Sequence, residues 1–216
     1  YFKELWPFQN QKKAKGALER YVKTDKMIMW FKIVVSCIPS IVIGLPFNDF
    51  IEAHFNNYLV VSIMLIVYGI FFILIENYNK KRTASINSVV EIGWKTAFLI
   101  GVFQLLAVIP GTSRSGATII GGILLGTSRT VAAEYTFFLA IPTMFGASLL
   151  KLVKFGLNFT GTEAIILIVG TLVSFVVSIL AIKFLMGYIK KHDFKVFGWY
   201  RIALGIVVLL FFSLFR

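Results

Sequence analysis

Five apolar runs, separated by short polar breaks, dominate the chain at approximately 28–47, 58–76, 130–150, 163–186 and 198–215. Each is long enough to cross a bilayer as a helix, which takes about 17–25 residues. The breaks are Asn48-Asp49, Asn77 through Asn87, Gly156 through Gly161, and His192-Asp193. Pro39 and Pro46 predict a bend or an early stop in the first run, because proline lacks an N–H and crowds the turn before it. The stretch 96–127 does not fit a simple span. Its centre reads Pro110-Gly-Thr-Ser-Arg-Ser-Gly116 between two short apolar arms. Hydrocarbon excludes unpaired backbone, so irregular chain at that depth must be buried in protein or line a wet cavity. The pattern predicts a re-entrant helix–turn–helix over 96–127. The fold class is therefore all-α and integral to a membrane, with five transmembrane helices and one re-entrant hairpin in a single membrane domain, 1–216.

Composition agrees. The chain is 58% hydrophobic with 22 phenylalanines, against an apolar share of about 45–50% in soluble domains. A net charge of +12 could suggest a nucleic-acid partner, but the clustering of the basic residues excludes it. They sit in segments between apolar runs, the distribution that orients a membrane protein and meets anionic headgroups. Residues 1–26 hold seven Lys/Arg and read as a basic cytoplasmic segment; 77–95 holds Lys80, Lys81, Arg82 and Lys95; 187–197 holds Lys190, Lys191 and Lys195. The 48–57 loop holds none. If 96–127 enters and leaves on one side, all three basic segments face the cytoplasm, with Lys151 and Lys154 as the exceptions. Lone Cys37 excludes an intrachain disulfide, and His54 and His192 lie in separate connections without zinc-type spacing. The chain opens at Tyr1 in a segment that reads as a loop, so it is expected to be the C-terminal part of a longer polypeptide.

The centre of 96–127 has the chemistry of an anion site. Gly111 and Gly116 permit positive φ and close backbone approach, so successive N–H groups can form a nest. Ser113 or Ser115 could cap the second arm and point its positive dipole end at the same anion. Arg114 adds a planar fork of donors that matches phosphate oxygens. Thr112, Ser113, Ser115 and Thr118 add hydroxyls, and Gln104 could orient a water or ligand. Glycine and serine alone would read as close helix packing. An arginine within the same seven residues reverses that, since it costs at least about 2.5–3.5 kcal/mol at a helix centre. The segment is no P-loop, for it lacks the nucleotide motif's lysine and preceding strand. Glu134 reads as an interfacial acid within reach of Arg129, and Glu76 and Glu91 as solvated. Trp94, Tyr188, Trp199 and Tyr200 read as interfacial anchors, and Gly121, Gly122 and Gly126 as tight arm packing.

The run from Gln104 through Pro110-Gly-Thr-Ser-Arg-Ser-Gly-Ala-Thr118, with Gly121-Gly122, Gly126-Thr-Ser-Arg129, Ala133-Glu134, Ile141-Pro142 and Gly146-Ala147, resembles undecaprenyl-diphosphate phosphatases of the bacitracin-resistance (BacA/UppP) type. The resemblance implies a multi-pass enzyme of the bacterial plasma membrane that hydrolyses undecaprenyl diphosphate to the monophosphate carrier lipid used in cell-wall synthesis. It implies the C-terminal part of an inverted-repeat fold, with Arg114 as the essential arginine and Ser113 and Ser115 as flanking catalytic hydroxyls. Gly111, Thr112, Gly116, Thr118 and Gln104 then surround the phosphate. A divalent cation, Mg²⁺ or Ca²⁺, is implied, with its carboxylate ligands expected upstream of Tyr1 and none in this chain, which alone is expected to be inactive. Membrane lipid is the other expected partner, and the resemblance leaves room for a homodimer. A polyprenyl-phosphate transporter or flippase with a midplane anion site is the alternative.

Overall fold

The computed structural model describes residues 23–80, 82–156 and 160–214; most of the basic first segment lies outside them. Within that range the chain is helical, with one isolated parallel bridge between Ile86 and Thr127. The helices are α1 (Thr24–Pro39), α2 (Leu45–Phe55), α3 (Tyr58–Asn79), α4 (Trp94–Leu105), α5 (Arg114–Leu124), α6 (Arg129–Phe155), α7 (Gly161–Ile189) and α8 (Lys195–Leu214). Five stretches are long and apolar enough to cross a membrane: Thr24–Gly44, α3, α6, α7 and α8. They overlay the five predicted runs.

The two prolines act differently from one another. Pro39 ends α1, and the chain continues through a π-helical segment, Ser40–Gly44, the wide turn that a disturbed i→i−4 ladder favours. Pro46 falls in the first turn of α2, where a missing N–H costs nothing. The expected 48–57 loop is consequently helical through Phe55, a correction. Its polar Asn48, Asp49 and Glu52 resemble a loop in composition, whereas the proline at its start is a helix signal.

Close backbone contact sets the helix pairs. A Cβ on Gly198 would stand 2.8 Å from the Gly69 carbonyl oxygen, and one on Gly205 would stand 2.8 Å from that of Ser62, so α3 and α8 run antiparallel with their backbones nearly touching. α1 packs on α4 and α6 around a buried polar knot. Ser36 Oγ donates to the Ala97 carbonyl at 2.6 Å, and Tyr135 Oη lies 2.6 Å from it. Burying these hydroxyls costs little because each has a partner.

One end of the bundle is tied by charge. Arg129, the first residue of α6, donates through Nε and Nη2 to both oxygens of Glu76 near the end of α3, at 2.5–3.0 Å. The backbone N–H of Phe194, between α7 and α8, donates to Glu76 Oε1 at 3.3 Å. Glu76 is fully buried, which corrects the expectation of a solvated acid, and Arg129 pairs with it. The face of α3 that carries Glu76 is closed over by Arg129 and Phe194, which come from elsewhere in the chain, and no local pattern reports that closure.

α4 and α5 form a helix–turn–helix whose outer ends meet at this same end. Ser85 and Ile86 donate N–H bonds to the Gly126 carbonyl at 3.0 and 3.1 Å, and Ser128 N–H donates to the Ile86 carbonyl at 2.9 Å. Gly121 lets the Phe103 ring lie against α5, as expected of tight arm packing.

Candidate functional site: the tip of the α4–α5 pair

The tip is built from turn chemistry. Thr112 N–H donates to the Ile109 carbonyl at 3.1 Å, with Pro110 and Gly111 in the two central positions. Gly111 has φ +86°, which a type II turn demands at its third residue and which side chains resist. Space is also denied there, because a Cβ on Gly111 would lie 2.7 Å from Val61 Cα of α3. We expect Gly111→Ala to lower stability by about 1–3 kcal/mol through strain alone, read as a lower melting temperature in detergent. Unchanged melting would mean that the tip is not held against α3.

Ser113 then caps α5, accepting the Gly116 N–H at 3.1 Å, and its Oγ lies 3.1 Å from that of Ser115. Arg114 is therefore the first helical residue, at a terminus whose first N–H groups have no intrahelical partner. Its Nη1 donates to Thr143 Oγ1 of α6 at 3.2 Å, while Thr143 donates onward to the Leu139 carbonyl at 2.8 Å. Arg114 opens on a cavity of about 590 Å³ between α1, the π segment, α4 and α6. Among the described residues lining it, Arg114 is the single charged one, with Ser40, Gln104 and Thr143 as polar neighbours and Val34, Val108 and Leu150 among the apolar ones. Gln104 Nε2 donates to Ser40 Oγ at 2.7 Å.

The sequence-derived residues thus divide into three groups. Arg114 and Gln104 face the cavity, whereas Gly111, Thr112, Ser113 and Ser115 form the tip beside it. Gly116 and Thr118 lie behind, inside the bundle. Gly116 is helical rather than left-handed, which corrects the expected positive φ; it allows the Phe72 ring to approach, at 3.3 Å from where its Cβ would be. The Thr118 hydroxyl donates to the carbonyls of Arg114 and Ser115 and accepts from Thr136 Oγ1 at 2.9 Å, so it braces the first turn of α5. Thr112 is buried, and its hydroxyl has no partner among the described residues.

The bacitracin resistance protein BacA family model matches residues 1–207. This chain belongs to the BacA family. As a BacA-family chain with five apolar spans, it is a multi-pass protein of the bacterial plasma membrane. It is 61% identical over 214 residues to an undecaprenyl-diphosphatase of Desulfitobacterium hafniense, covering 99% of this chain and 75% of that protein. It is 62% identical over 213 residues to undecaprenyl-diphosphatase 1 of Clostridium acetobutylicum, covering 98% and 76%. With an undecaprenyl-diphosphatase of Enterococcus faecalis the identity is 56% over 210 residues, covering 97% and 75%.

In this BacA-family chain the structure adds a residue that the motif does not contain. Arg201 of α8 donates from Nη2 to the Gly111 carbonyl at 2.8 Å, with its guanidinium carbon 5.9 Å from the centre of the Tyr68 ring. A second arginine thus fixes the turn that carries the first. Its signal in the sequence is its setting, an arginine within the apolar run 198–215. Thr143 and Ser40 carry no such signal, since hydroxyls are tolerated on any span.

Proposed function

We propose that the α5 N-terminus and Arg114 hold the terminal phosphate of undecaprenyl diphosphate while it is hydrolysed to undecaprenyl phosphate and inorganic phosphate. The observation that carries this reading is Arg114 as the single charged group among the described residues lining an otherwise mostly apolar cavity. Of its five N–H donors only one is engaged among the described residues, which leaves a fork for phosphate oxygens. The three relatives, each an undecaprenyl-diphosphatase by name, support the same substrate.

The mechanism follows from charge. Phosphoryl transfer asks a protein mainly to position the group and to stabilise charge spread over its oxygens. The apolar walls lower the local dielectric, so donors fixed before the reaction count for more than they would in water. Arg114 neutralises that charge, and the Ser113 cap with the helix terminus aims further donors at it. Arg201 is a positioning residue that keeps the Gly111 turn in place. We expect Arg201→Ala to lower kcat about tenfold with a smaller change in KM, as loss of alignment rather than of ground-state binding would. Arg201→Lys should recover part of it, because an ammonium can still donate to one carbonyl. Equal losses in both variants with KM rising alone would instead make Arg201 a substrate contact.

We read α4–α5 as re-entrant in the membrane, supported by the bonds that join Ser85 and Ile86 to Gly126. We place the end carrying 77–95 and 187–197 in the cytoplasm, supported by Lys80 standing 3.8 Å from Asp193 and by the absence of Lys and Arg from 48–57. The tip then reaches towards the opposite face, since Gly111 lies against Val61, one turn from the start of α3. The inverted repeat needs a second such hairpin; the described residues hold one, and that part rests on the family resemblance. The described residues do not bring together ligands for the divalent cation that the resemblance implies. The described cavity lining has no carboxylate, and no three His, Cys, Asp or Glu side chains converge among the described residues. The steps above belong to donors that hold an anion.

Release of inorganic phosphate from undecaprenyl diphosphate by the full-length protein, in detergent with divalent metal supplied, tests the reading. Release at rates well above the protein-free control is expected. A folded, metal-supplied protein that releases none, but moves polyprenyl phosphate across a vesicle membrane, would replace hydrolysis with transport.

A further inference from the structure

At the basic end, away from Arg114, the structure contains a second polar cleft of about 580 Å³. The end of α3, the connection to α4, the start of α6 and the connection after α7 converge on it. Lys80, Arg82, Arg129, Lys190 and Lys191 line it, and the one acid among the described lining residues, Asp193, lies 3.8 Å from Lys80. Even with Asp193 beside Lys80 and Glu76 beneath Arg129, five cations face two carboxylates, and the excess positive charge favours an anion between them.

Arg129 is what separates this cleft from a scatter of surface lysines. Glu76, with its side chain 1% exposed beneath the cleft, takes the Nε and Nη2 edge of the guanidinium. The Nη1 edge is left without a partner among the described residues, on a side chain that is 31% exposed and cannot swing away without abandoning a buried carboxylate. It is a cation whose orientation is set before any ligand arrives. α6 also begins here with Ser128 as its cap, which adds the positive end of a 27-residue helix dipole.

We propose that this cleft binds a phosphate group at the basic rim of the bundle, separately from the site at the tip. Two sources share that chemistry, the headgroup of an anionic phospholipid and free inorganic phosphate. The surroundings favour the lipid. Arg82 donates from Nη1 to Tyr78 Oη at 2.9 Å, and Tyr78 also lines an apolar groove of about 430 Å³ that runs along α3 past Leu74 and Phe71. A headgroup in the cleft would therefore have a channel beside it for an acyl chain. Exposed Trp199 and Tyr200 stand near the start of α8, as anchors at headgroup depth do.

The test is lipid retention by the full-length protein in native mass spectrometry, with phosphatidylglycerol and phosphatidylcholine as probes, and calorimetric titration with inorganic phosphate. Lys190→Gln/Lys191→Gln removes two exposed charges from the cleft, and Lys151→Gln/Lys154→Gln removes two from α6 near its other end. We expect phosphatidylglycerol to be retained over phosphatidylcholine, with roughly tenfold weaker retention in the first variant only. Phosphate heat lost in the first variant, with no lipid preference, would keep the site and assign it to the free ion. Equal loss in both variants, or no preference and no heat difference, would overturn the proposal. Matching melting temperatures in phosphatidylcholine check that both variants are folded. Since every readout is binding, failure here leaves the hydrolytic reading of the tip untouched.

Discussion

Replacing Arg114 with alanine should lower phosphate release by about a thousandfold or more, while the protein still folds and inserts. Removing a single preorganised donor at a developing oxyanion typically costs about 10²–10³ in rate, and an arginine that clamps a transferring phosphoryl group is worth about 10³–10⁵. On the proposed reading Arg114 combines both roles, and no other described residue lining its cavity carries a charge that could substitute for it. The fold depends on it little. Its one side-chain bond among the described residues goes to Thr143, whose hydroxyl stays satisfied by the Leu139 carbonyl after truncation. Arg114→Lys is the sharper variant. It keeps the charge and loses the planar fork, so a loss of about a hundredfold is expected if two oxygens are gripped at once. Near-normal turnover by the lysine variant, in the same release assay, would mean that charge alone is used and would sink the bidentate geometry.

The largest effect on stability should come from Glu76→Ala. Breaking a buried ion pair by removing one partner typically costs about 3–5 kcal/mol, because the other charge is left without compensation. Here the truncation strands Arg129 and also frees the Phe194 N–H, so α3, α6 and the connection between α7 and α8 lose a shared anchor. Glu76→Gln should cost less, since an amide keeps the shape and one acceptor. The double change Glu76→Leu/Arg129→Met should recover most of the loss, as both charges leave together. Thermal unfolding in detergent measures all three. Little dependence on salt is expected, because screening acts weakly on a pair this enclosed. An alanine variant that melts with the parent would show that Glu76 is hydrated and the pair is loose.

The contrast between these two positions explains what could be read in advance. Arg114 was legible because its oddity is local: an arginine framed by glycine and hydroxyls inside an apolar stretch violates what hydrocarbon allows. A hydroxyl cap at Ser113 or Ser115 and a left-handed glycine in the turn were legible for the same reason, since cap and turn chemistry act over three or four residues; the structure selects Ser113 and Gly111. Glu76 was misread because it lies at the end of an apolar run, where acids are ordinarily solvated. Its burial depends on Phe194, 118 positions away. Gly116 was misread for a related reason, because glycine serves both turns and close packing, and the Phe72 ring that decides between them comes from another helix.

The amino-acid sequence by itself determined which five stretches are long and apolar enough to span, that two shorter apolar arms joined by a turn lie between the second and third of them, and that an arginine stands in that turn's frame of glycine and hydroxyls. Those follow from the length of apolar runs, the placement of prolines and glycines, and the cost of an arginine in lipid. Only the tertiary structure decided that α2 is a helix, that Arg201 reaches across 90 positions to hold Gly111, that Thr143 steadies Arg114, and that Glu76 is a buried anchor beneath a basic cleft. Hydrophobic burial has no direction along the chain. Which face of one helix meets which face of another is settled by shape and pairing across the whole bundle.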